Sequence, residues 1–558
     1  MKVVDYLQVI IFCLVLIGLT PPLGLYMARV FEGKKTFMSL VLAWLERILY
    51  RVSGINQDEE MDWKVYTKSL LFFNLLGFIF LLILQLVQHI LPLNPANLLG
   101  VAWDCAFNTA ASFMTNTNWQ SYAGETTMSY LTQMLGLTVQ NFLSAATGIT
   151  VFIAMTRGLI SKSKSSLGNF WVDMVRTLVY ILLPLSIILA VILNAQGVVQ
   201  TLSPYKEITT LQGVKQTLPL GPAASQIAIK QLGTNGGGFF NANSAHPFEN
   251  PTPLTNFLET LALMLIPAGL VYTYGVMIGN RKHGWLLFFV MFLVWIGLTG
   301  VSLYYQYTSG ANVLEGMETR IGITNSVLFS TATTVISCGA VNCMHSSLAP
   351  MSGGIALFNI MLGEIIFGGV GAGMYGMLHM VILTVFLAGL MVGRTPEYLG
   401  KKIERKEMQM VILSILLPSA AILIGAAIAC VYPVALSSLL SKGPHGLSEI
   451  LYAFVSATQN NGSAFAGLSA NTVFYNIMLG LCMIIGRFGV IIPAMVIAGS
   501  LAAKKITPVS SGTFTTDNFL FAALLVGVII IVGVLTFFPA LSLGPLVEHL
   551  LMLKGRVF

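Results

Sequence analysis

Long apolar runs alternate with short polar segments along the whole chain. Ten of these runs are long enough for a helix to cross the hydrocarbon core of a bilayer, which is about 30 Å thick. They are Leu7–Val30, Ser69–Leu91, Tyr130–Met155, Phe170–Leu193, Leu254–Ile278, Trp285–Tyr305, Met377–Val392, Met410–Pro433, Thr472–Ala498 and Phe519–Phe538. The seventh run reaches a spanning length only together with the apolar residues before it. The pattern predicts an all-α polytopic membrane protein with ten transmembrane helices.

The first run and the segment after it refine this prediction. Lys2 is the only basic residue before the run and no small-residue cleavage site follows it, which favours a retained span over a signal peptide. Its pair Pro21-Pro22 is expected to bend or end the helix. The next segment, Phe37–Val52, carries apolar residues at helical spacing with charged residues flanking them. This spacing predicts a helix that lies in the membrane interface.

Four short apolar segments, each too short to span a bilayer, lie between spanning runs and lead into polar turns. In Ala224–Asn243, a helix-compatible segment runs into Thr234-Asn235-Gly236-Gly237-Gly238 before the next span. The other three segments are Trp103–Phe113, Val327–Ile336 and Glu449–Ala457, which lead into turns at residues 115–120, 337–341 and 458–463. The order of span, half-helix, turn and span thus occurs four times. Such an internal repeat predicts a pseudosymmetric pore formed by one chain.

The chemistry of these turns points to a cation. Irregular backbone inside a membrane is tolerated only where protein buries it or where it lines a watery path. Glycine lets successive carbonyls point the same way, and a ring of carbonyls can replace the water around a dehydrated cation at the negative end of a pore helix. One isolated Gly-Gly-Gly is more often a flexible loop. Four turns in register favour a selectivity filter.

Basic residues predict the orientation of the spans. Lys and Arg collect on the cytoplasmic side of membrane proteins. The segments after the first, third, fifth, seventh and ninth runs hold 18 of the 29 Lys and Arg residues, and the tails and the other four loops hold eight. The richer segments include Arg29–Lys64, Arg157–Lys164, Arg281-Lys282, Arg394–Lys406 and Lys504-Lys505. Both termini and all four turns are therefore predicted to face outward.

The composition agrees with a membrane protein and leaves no room for a soluble domain. Of the 558 residues, 56% are hydrophobic and 9% are charged, and the mean hydropathy is +0.81, as expected for a chain dominated by spans. The six cysteines are scattered through the chain, which indicates neither a disulfide framework nor a metal site. They are Cys13, Cys105, Cys338, Cys343, Cys430 and Cys482.

Five strings give the chain a family resemblance. They are TNTNWQSY at 115–122, LGTNGGGFFNAN at 232–243, CGAV at 338–341, GRTPEYLGKK at 393–402 and NGSAFAGLSAN at 461–471. On these strings the chain resembles the potassium-binding subunits of bacterial potassium-transporting ATPases, over essentially its whole length. Gln459 departs from the run of asparagines in that family. The resemblance implies the superfamily of potassium transporters, whose four pore-loop repeats match the repeat count reached from the residues alone.

The resemblance also implies a function and a location. A potassium-selective, channel-like subunit of the bacterial inner membrane would bind potassium from outside and deliver it sideways to a separate P-type ATPase subunit, which uses the ATP. Small accessory subunits would complete the complex. The alternative is a stand-alone potassium channel or symporter of the same superfamily. No covalent cofactor and no nucleic-acid partner are expected, and potassium is the substrate.

These expectations divide the chain into seven regions. They are an extra N-terminal span at 1–30, a cytoplasmic loop with the interfacial helix at 31–66, pore repeats at 67–157, 169–280, 284–392 and 409–501, and an extra C-terminal span at 517–540. The candidate filter residues are Thr115, Asn116, Thr117, Asn118, Gln120, Thr234, Asn235, Gly236, Gly237, Ser337, Cys338, Gly339, Ala340, Thr458, Asn460, Asn461 and Gly462. Trp119 fits a membrane belt or a filter wall equally well.

A candidate gate follows the third turn. Glycine is frequent after Glu364, at Gly368, Gly369, Gly371 and Gly373, and should interrupt the helix that closes the third repeat. A packing kink is the simple explanation, but the resemblance implies a gate. Arg487 lies deep in the ninth run, where an arginine costs about 2.5–3.5 kcal/mol on insertion scales. It either snorkels to an interface or faces the ion path, and the second is favoured.

Several catalytic signatures are missing from the sequence. The chain contains no Gly-x-x-x-x-Gly-Lys-[Ser/Thr] string, no P-type phosphorylation motif and no inward segment long enough for a nucleotide-binding domain. It also lacks a His-Glu-x-x-His pair and a Gly-x-Ser-x-Gly elbow, which argues against an intramembrane hydrolase or acyl transferase. No catalytic residue is therefore predicted. The basic cluster Lys401-Lys402 with Arg405-Lys406 is read as a topology signal and a possible docking surface for a partner or for anionic lipids.

Overall fold

A computed structural model describes the chain except for residues 1, 164, 310–314, 392, 394, 508–513 and 557–558. The predicted end of the third repeat at residue 392 lies outside the described residues, as do Lys164 and Arg394 of the predicted inward segments.

Ten helices in the described residues are long and apolar enough to cross a membrane. They are Val3–Phe31, Trp63–Ile90, Thr132–Ile160, Phe170–Ala195, Pro253–Met277, Arg281–Thr308, Ala372–Met391, Arg405–Val431, Val473–Ala502 and Phe519–Met552, and we number them as spans 1 to 10. Spans 3, 4 and 10 each contain a π-helical stretch, at Thr132–Thr138, Thr177–Leu182 and Ser542–Leu546. The predicted all-α polytopic fold with ten spans is confirmed.

Span 1 and the helix after it lie near the predicted positions. Span 1 continues through Pro21 and Pro22, so the proline pair does not end the helix as the sequence had allowed. The next helix, Ser39–Ser53, exposes a row of apolar side chains that includes Leu40, Trp44 and Val52. An uncovered apolar row of this kind is what a helix in the membrane interface requires.

Four shorter helices occupy the positions predicted for half-helices. They are Trp103–Met114, Ala223–Leu232, Gly322–Val335 and Gly443–Thr458, and we call them pore helices 1 to 4. The third and fourth begin earlier than their apolar segments suggested, because each has a polar first turn. All four are too short to span a bilayer.

The helix after the third turn is interrupted. A short helix, Pro350–Met361, precedes span 7, and residues 362–371 between them are not helical. Positive φ angles occur in this break at Gly363, Glu364, Phe367, Gly368 and Gly371. The predicted interruption is present, and it begins before the glycines themselves.

Strands are confined to two small hairpins in the described residues. Strand β1 (Lys206–Thr209) pairs antiparallel with β2 (Lys215–Leu218), with Lys206 opposite Leu218, in the loop before pore helix 2. Strand β3 (Glu397–Tyr398) pairs with β4 (Lys401–Lys402) between spans 7 and 8. Four short helices complete the loops, at Gly124–Thr127, Asn243–Ala245, His345–Ser347 and Pro433–Leu436.

The spans differ in how much of their surface protein covers. Spans 3 and 5 are buried along most of their length, whereas spans 1 and 10 are exposed along most of theirs. The exposed residues of spans 1 and 10 are largely Leu, Ile, Val and Phe, which a bilayer would cover. Many of the buried polar residues belong to the pore helices and the turns that follow them, and these residues form the candidate site.

Candidate functional site

The four pore helices end with the same backbone hydrogen bond. In each repeat, the N–H of a residue in the following turn donates to the carbonyl oxygen five residues earlier. The pairs are Thr117 to Ser112 (2.9 Å), Asn235 to Lys230 (2.8 Å), Cys338 to Thr333 (3.2 Å) and Asn461 to Ser456 (2.8 Å). We call Thr117, Asn235, Cys338 and Asn461 the central residues.

Each central residue lies between two residues with positive φ. These flanking pairs are Asn116 and Asn118, Thr234 and Gly236, Ser337 and Gly339, and Asn460 and Gly462, with φ between 49° and 97°. Five of the eight are not glycine, and a β-branched residue such as Thr234 is a clear outlier in this region. Backbone strain of this kind persists where the surroundings impose it, often at functional sites. The four turns therefore share one unusual backbone conformation.

The carbonyl oxygens of the four central residues accept no hydrogen bond from the described residues. Buried carbonyls nearly always have a partner, and the central residues Thr117, Asn235, Cys338 and Asn461 are all fully buried. A set of unpaired carbonyls at four equivalent positions is the arrangement that coordinates a dehydrated cation.

Glycine lets neighbouring turns approach each other closely. A Cβ atom on Gly236 would lie 1.6 Å from the Cys338 carbonyl oxygen, and one on Gly339 would lie 2.2 Å from that of Asn461. A Cβ atom on Gly462 would lie 2.0 Å from the carbonyl oxygen of Thr117. The contacts run from repeat 2 to 3, from 3 to 4 and from 4 to 1. The turns therefore close into a ring in repeat order.

Side chains complete the ring. Asn235 Nδ2 donates to Asn116 Oδ1 (2.5 Å) between repeats 1 and 2, and Ser337 Oγ donates to the Asn460 carbonyl (2.8 Å) between repeats 3 and 4. Asn460 Nδ2 donates to Thr117 Oγ1 (2.9 Å) between repeats 4 and 1. These bonds fix the turns against one another, so the carbonyl positions are set by the whole ring.

Other predicted filter residues have supporting positions. Thr115 caps pore helix 1, and its hydroxyl lies 2.7 Å from that of Thr117. Gln120 exchanges two hydrogen bonds with the backbone of Gly238, at 3.0 and 2.9 Å. Gly237 and Ala340 follow the second positive-φ residue of their turns. Trp119 is buried, which favours a packing role behind the turn over a membrane belt.

Thr458 occupies a different place from the other predicted filter residues. It is the last residue of pore helix 4, and its hydroxyl donates to the Phe454 carbonyl within that helix at 2.7 Å. Its own carbonyl lies against span 9, because a Cβ atom on Gly486 would approach it to 1.6 Å. In the fourth turn, Gln459 therefore takes the position that Thr115 has in the first.

A buried ion pair behind the second turn was not predicted from the sequence. Lys230 and Glu249 form a salt bridge with both side chains fully buried. Lys230 Nζ also donates to Asn243 Oδ1 (2.8 Å), and Asn243 Nδ2 donates to the Gly236 carbonyl (2.7 Å). The ion pair thus holds the second turn through Asn243. The sequence signal was a lysine within an apolar half-helix.

The glycine-rich break in the third repeat lies directly against the turns. Val370 N donates to Thr234 Oγ1 (3.0 Å), and a Cβ atom on Gly369 would lie 3.3 Å from Ser337 Cβ. At its far end, a Cβ atom on Gly371 would lie 2.1 Å from the carbonyl oxygen of Gly148 in span 3. The break therefore reaches from repeat 3, past turns 2 and 3, to repeat 1.

Close contacts hold the break in this shape. A Cβ atom on Gly368 would lie 2.0 Å from the Glu364 carbonyl, and one on Gly373 would lie 1.8 Å from that of Phe367. Glu364 itself is buried, and its Oε1 has no hydrogen-bond partner among the described residues. The predicted gate residues of this segment are thus brought together beside the turns.

Arg487 of span 9 approaches the break where the break contacts Gly148 of span 3. Its side chain is 6% exposed, and Nη2 donates to the Ser144 carbonyl of span 3 at 3.2 Å. The same nitrogen lies 3.3 Å from the Cβ position of Gly148, the residue that contacts Gly371. No carboxylate lies within ion-pair distance of it in the described residues. The guanidinium therefore does not snorkel, and it places positive charge beside the break.

A small cavity of about 60 Å³ lies on the other side of the break. Gly363, Ile365, His379, Ser414 and Gln459 are among its lining residues. The cavity lies between the broken helix and spans 8 to 10, and Gln459 connects it to the fourth turn.

Comparison with known proteins agrees with this geometry. The family model described as Potassium-transporting ATPase A subunit matches residues 10–550. The potassium-transporting ATPase potassium-binding subunit of Brucella anthropi is 54% identical over 569 residues, with full coverage of both chains. The protein of the same name from Mesorhizobium japonicum is 55% identical over 564 residues, with 99% of each chain covered.

A solved structure shows a similar fold. The potassium transporter TrkH from Vibrio parahaemolyticus has a TM-score of 0.53 against this chain at 13% sequence identity. The match covers 88% of this chain and 97% of that one. At this identity the likeness concerns the fold alone, and it extends over almost the whole of the other protein.

Proposed function

Because this chain belongs to the family of potassium-transporting ATPase A subunits, we propose that its four turns form a selectivity filter for potassium. The observation that carries the proposal is the set of four central carbonyls, at Thr117, Asn235, Cys338 and Asn461, that accept no hydrogen bond from the described residues. Potassium sheds its hydration shell more readily than smaller cations, and carbonyl dipoles replace that shell. The C-terminal ends of the four pore helices add partial negative charge at the same place.

The filter would be built from most of the predicted residues. The central residues and their positive-φ neighbours would supply carbonyls, with Gly236, Gly339 and Gly462 allowing the turns to close. Thr115, Gln120, Gly237 and Ala340 would support the ring, and Thr458 would anchor the fourth turn. The pore repeats at 67–157, 169–280, 284–392 and 409–501 would each contribute one turn.

The break between Pro350–Met361 and span 7 would be the gate. Its contacts with Thr234, Ser337 and Gly148 support a segment that crosses the path next to the filter. Arg487 would add a positive charge that a cation must pass, and this forms a barrier in a low-dielectric cavity. A blocked straight path suits a pump subunit, because an open one would let the concentrated ion leak back. A stand-alone channel would need that path open.

The chain is the non-catalytic subunit of an ATPase complex, and ATP would be used by a separate P-type ATPase subunit. Potassium would leave the filter through the cavity at Gln459 and His379 toward that partner, with small accessory subunits completing the complex. The cavity beside the break supports this lateral route. The complex would lie in the bacterial inner membrane with both termini outside, as the distribution of Lys and Arg indicates.

Only three of the four residues in the basic cluster Lys401-Lys402 with Arg405-Lys406 would contact the partner or anionic lipids. Lys402, Arg405 and Lys406 are exposed. Lys401 is buried, and its Nζ donates to the carbonyls of Gly158 (2.9 Å) and Leu501 (2.6 Å). Burial lowers the pKa of Lys401 to about 8, and the charge of Lys504 adds to this effect. Lys401 would therefore join the ends of spans 3 and 9.

Equilibrium binding of radioactive rubidium to the purified complex tests the filter. We expect unlabelled potassium to displace rubidium at concentrations at least about a hundredfold lower than sodium, a preference worth ~2.7 kcal/mol. Equal displacement by both ions would mean that the ring is not a potassium filter.

A further inference from the structure

A second cavity, of about 560 Å³, lies beside the N-terminal end of pore helix 4. Its walls include His445 and Glu449 from that helix, Gly467 from the loop after the fourth turn and Glu548 from the end of span 10. The loop after the third turn closes another side. None of the central residues lines this cavity, so it is separate from the proposed filter.

Glu449 is buried against the cavity without a satisfactory partner. Glu449 is 1% exposed, and neither of its carboxylate oxygens accepts a hydrogen bond of good geometry from a described residue. The backbone of Leu440 and the backbone and hydroxyl of Ser441 are the donors that lie close to it. The nearest basic group is His445, with Nε2 3.9 Å from Glu449 Oε1. Burying a charge without a partner is costly. The charged form of Glu449 is therefore only partly compensated by its neighbours, and a cation in the cavity would stabilise it further.

The remaining charges around the cavity nearly cancel. His445 Nδ1 lies 2.9 Å from Glu548 Oε1. Burial acts to lower the pKa of His445, but the hydrogen bond and the charge of Glu548 outweigh it and raise that pKa above its ordinary value. Glu315 and Arg556 also line the cavity and are of opposite sign. Glu449 and Glu548 thus share one imidazole, which leaves an excess of negative charge in the cavity when both carboxylates are ionised.

We propose that this cavity is a second cation site, in which Glu449 holds a hydrated potassium ion before it reaches the filter. This inference rests on the proposed function. The excess of negative charge favours a cation, and the volume accommodates an ion with several waters, each of which occupies ~30 Å³ in the liquid. A cleft with one sign of charge raises the local concentration of the opposite ion. The site would collect potassium when it is scarce outside.

Stacked rings connect the site to the wall behind the fourth turn. The His445 ring stacks on Phe465 (5.7 Å between centroids), and Phe465 stacks on Tyr452 (4.4 Å). The Tyr452 hydroxyl lies 2.8 Å from Ser463 Oγ, which donates to Asn461 Oδ1 at 2.5 Å. Asn461 is a central residue of the filter. An ion at Glu449 would therefore be adjacent to the structure that supports this turn.

The first test uses potassium-stimulated ATP hydrolysis by the whole complex at low ionic strength. For Glu449→Gln, we expect the potassium concentration for half-maximal stimulation to rise about tenfold, the lower end of electrostatic focusing in charged clefts. The maximal rate and the preference for potassium over sodium should stay unchanged. Glu207→Gln is the matched control, since Glu207 is exposed in the β1–β2 hairpin. It should leave the half-maximal concentration unchanged.

A second variant moves the carboxylate without removing its charge. A Cβ atom on Gly467 would lie 2.1 Å from Glu449 Oε1, so Gly467→Ala should displace the carboxylate and reproduce part of the tenfold effect. Unchanged half-maximal concentrations in both variants would overturn the second site.

Anomalous scattering from bound thallium(I), a potassium congener, locates the ions directly. We expect density both in the filter and beside Glu449 in the unmodified complex, and loss of the second density alone in Glu449→Gln. Density in the filter but not at Glu449 would refute this inference and leave the proposed function intact. Absence of density from the filter would instead count against the proposed function.

Discussion

At the scale of single residues, the candidate filter depends on backbone conformation more than on side-chain chemistry. The four central residues are a threonine, two asparagines and a cysteine, yet each has the same hydrogen bond to the residue five positions earlier. Their neighbours at positive φ include glycine in only three of eight cases. The ring tolerates varied side chains because packing between the turns fixes their carbonyls.

Gly236 tests this account of the ring. Aspartate at this position would need a positive φ of about 92° and would force a Cβ atom into the Cys338 carbonyl, pushing the third turn out of register. We expect Gly236→Asp to weaken potassium binding at least about tenfold, or ~1.4 kcal/mol, and to admit other cations. The measurement is potassium and rubidium uptake by the complex.

Gly213→Asp is the matched control for this substitution. Gly213 also has positive φ, at 79°, but a Cβ atom there would meet nothing within 4 Å. It should leave uptake unchanged. If Gly236→Asp keeps both the uptake and the discrimination of the unmodified chain, the glycine does not position the filter.

The buried pair Lys230–Glu249 gives a prediction about stability. Glu249→Gln would leave the Lys230 ammonium buried without its carboxylate, and breaking a buried pair in this way costs about 3–5 kcal/mol. We expect a lower Tm for the purified chain and weaker potassium binding, because Asn243 links Lys230 to the Gly236 carbonyl. The double substitution Lys230→Met with Glu249→Leu should recover part of the Tm. A Tm unchanged by Glu249→Gln would show that the pair does not stabilise the turn.

At the scale of elements, the interrupted helix of the third repeat distinguishes the two candidate functions, a pump subunit with a blocked path and a stand-alone channel with an open one. It contacts the second and third turns and reaches Gly148 in span 3, where Arg487 also arrives. A helix that ran on from Met361 to Ala372 could not make these contacts. The break is therefore the element that would keep a filter from being an open channel.

Removing the break or the charge of Arg487 should let potassium pass through the chain without ATP. In liposomes that contain the chain alone, we expect deletion of residues 368–373 or the substitution Arg487→Gln to raise ATP-independent potassium flux by about tenfold or more, since ~1.4 kcal/mol of barrier corresponds to that factor. Lys68→Gln is the control, because Lys68 lies on span 2 with its side chain exposed. Free conduction by the unmodified chain would favour the channel or symporter alternative.

At the scale of the whole molecule, the sequence predicted most of the architecture and only part of the site. The spans and half-helices could be predicted because the length of an apolar run and the presence of a polar turn are local properties of the chain. The packing of Gly236 on Cys338, the ion pair of Lys230 with Glu249 and the displaced position of Thr458 are contacts between distant segments. No periodicity in the sequence encodes them, so only the structure places them.

Orientation is a property of the whole molecule that labelling can test. Leu211 in the β1–β2 hairpin and Lys402 in β4 are both exposed, and the excess of basic residues assigns them to opposite sides of the membrane. We expect a membrane-impermeant thiol reagent added outside cells to label Leu211→Cys but not Lys402→Cys, with the unmodified chain as background. The reverse pattern would overturn the orientation and the direction of import.

The central claim is that this chain selects potassium for a separate ATP-driven subunit. It is tested most directly by purifying the chain with its associated proteins and measuring ATP hydrolysis as potassium is added. We predict that a P-type ATPase subunit accompanies the chain, that potassium stimulates hydrolysis several-fold while sodium does not, and that Gly236→Asp shifts the response to higher potassium. Hydrolysis that is indifferent to potassium, in a complex that contains the P-type subunit, would contradict the account.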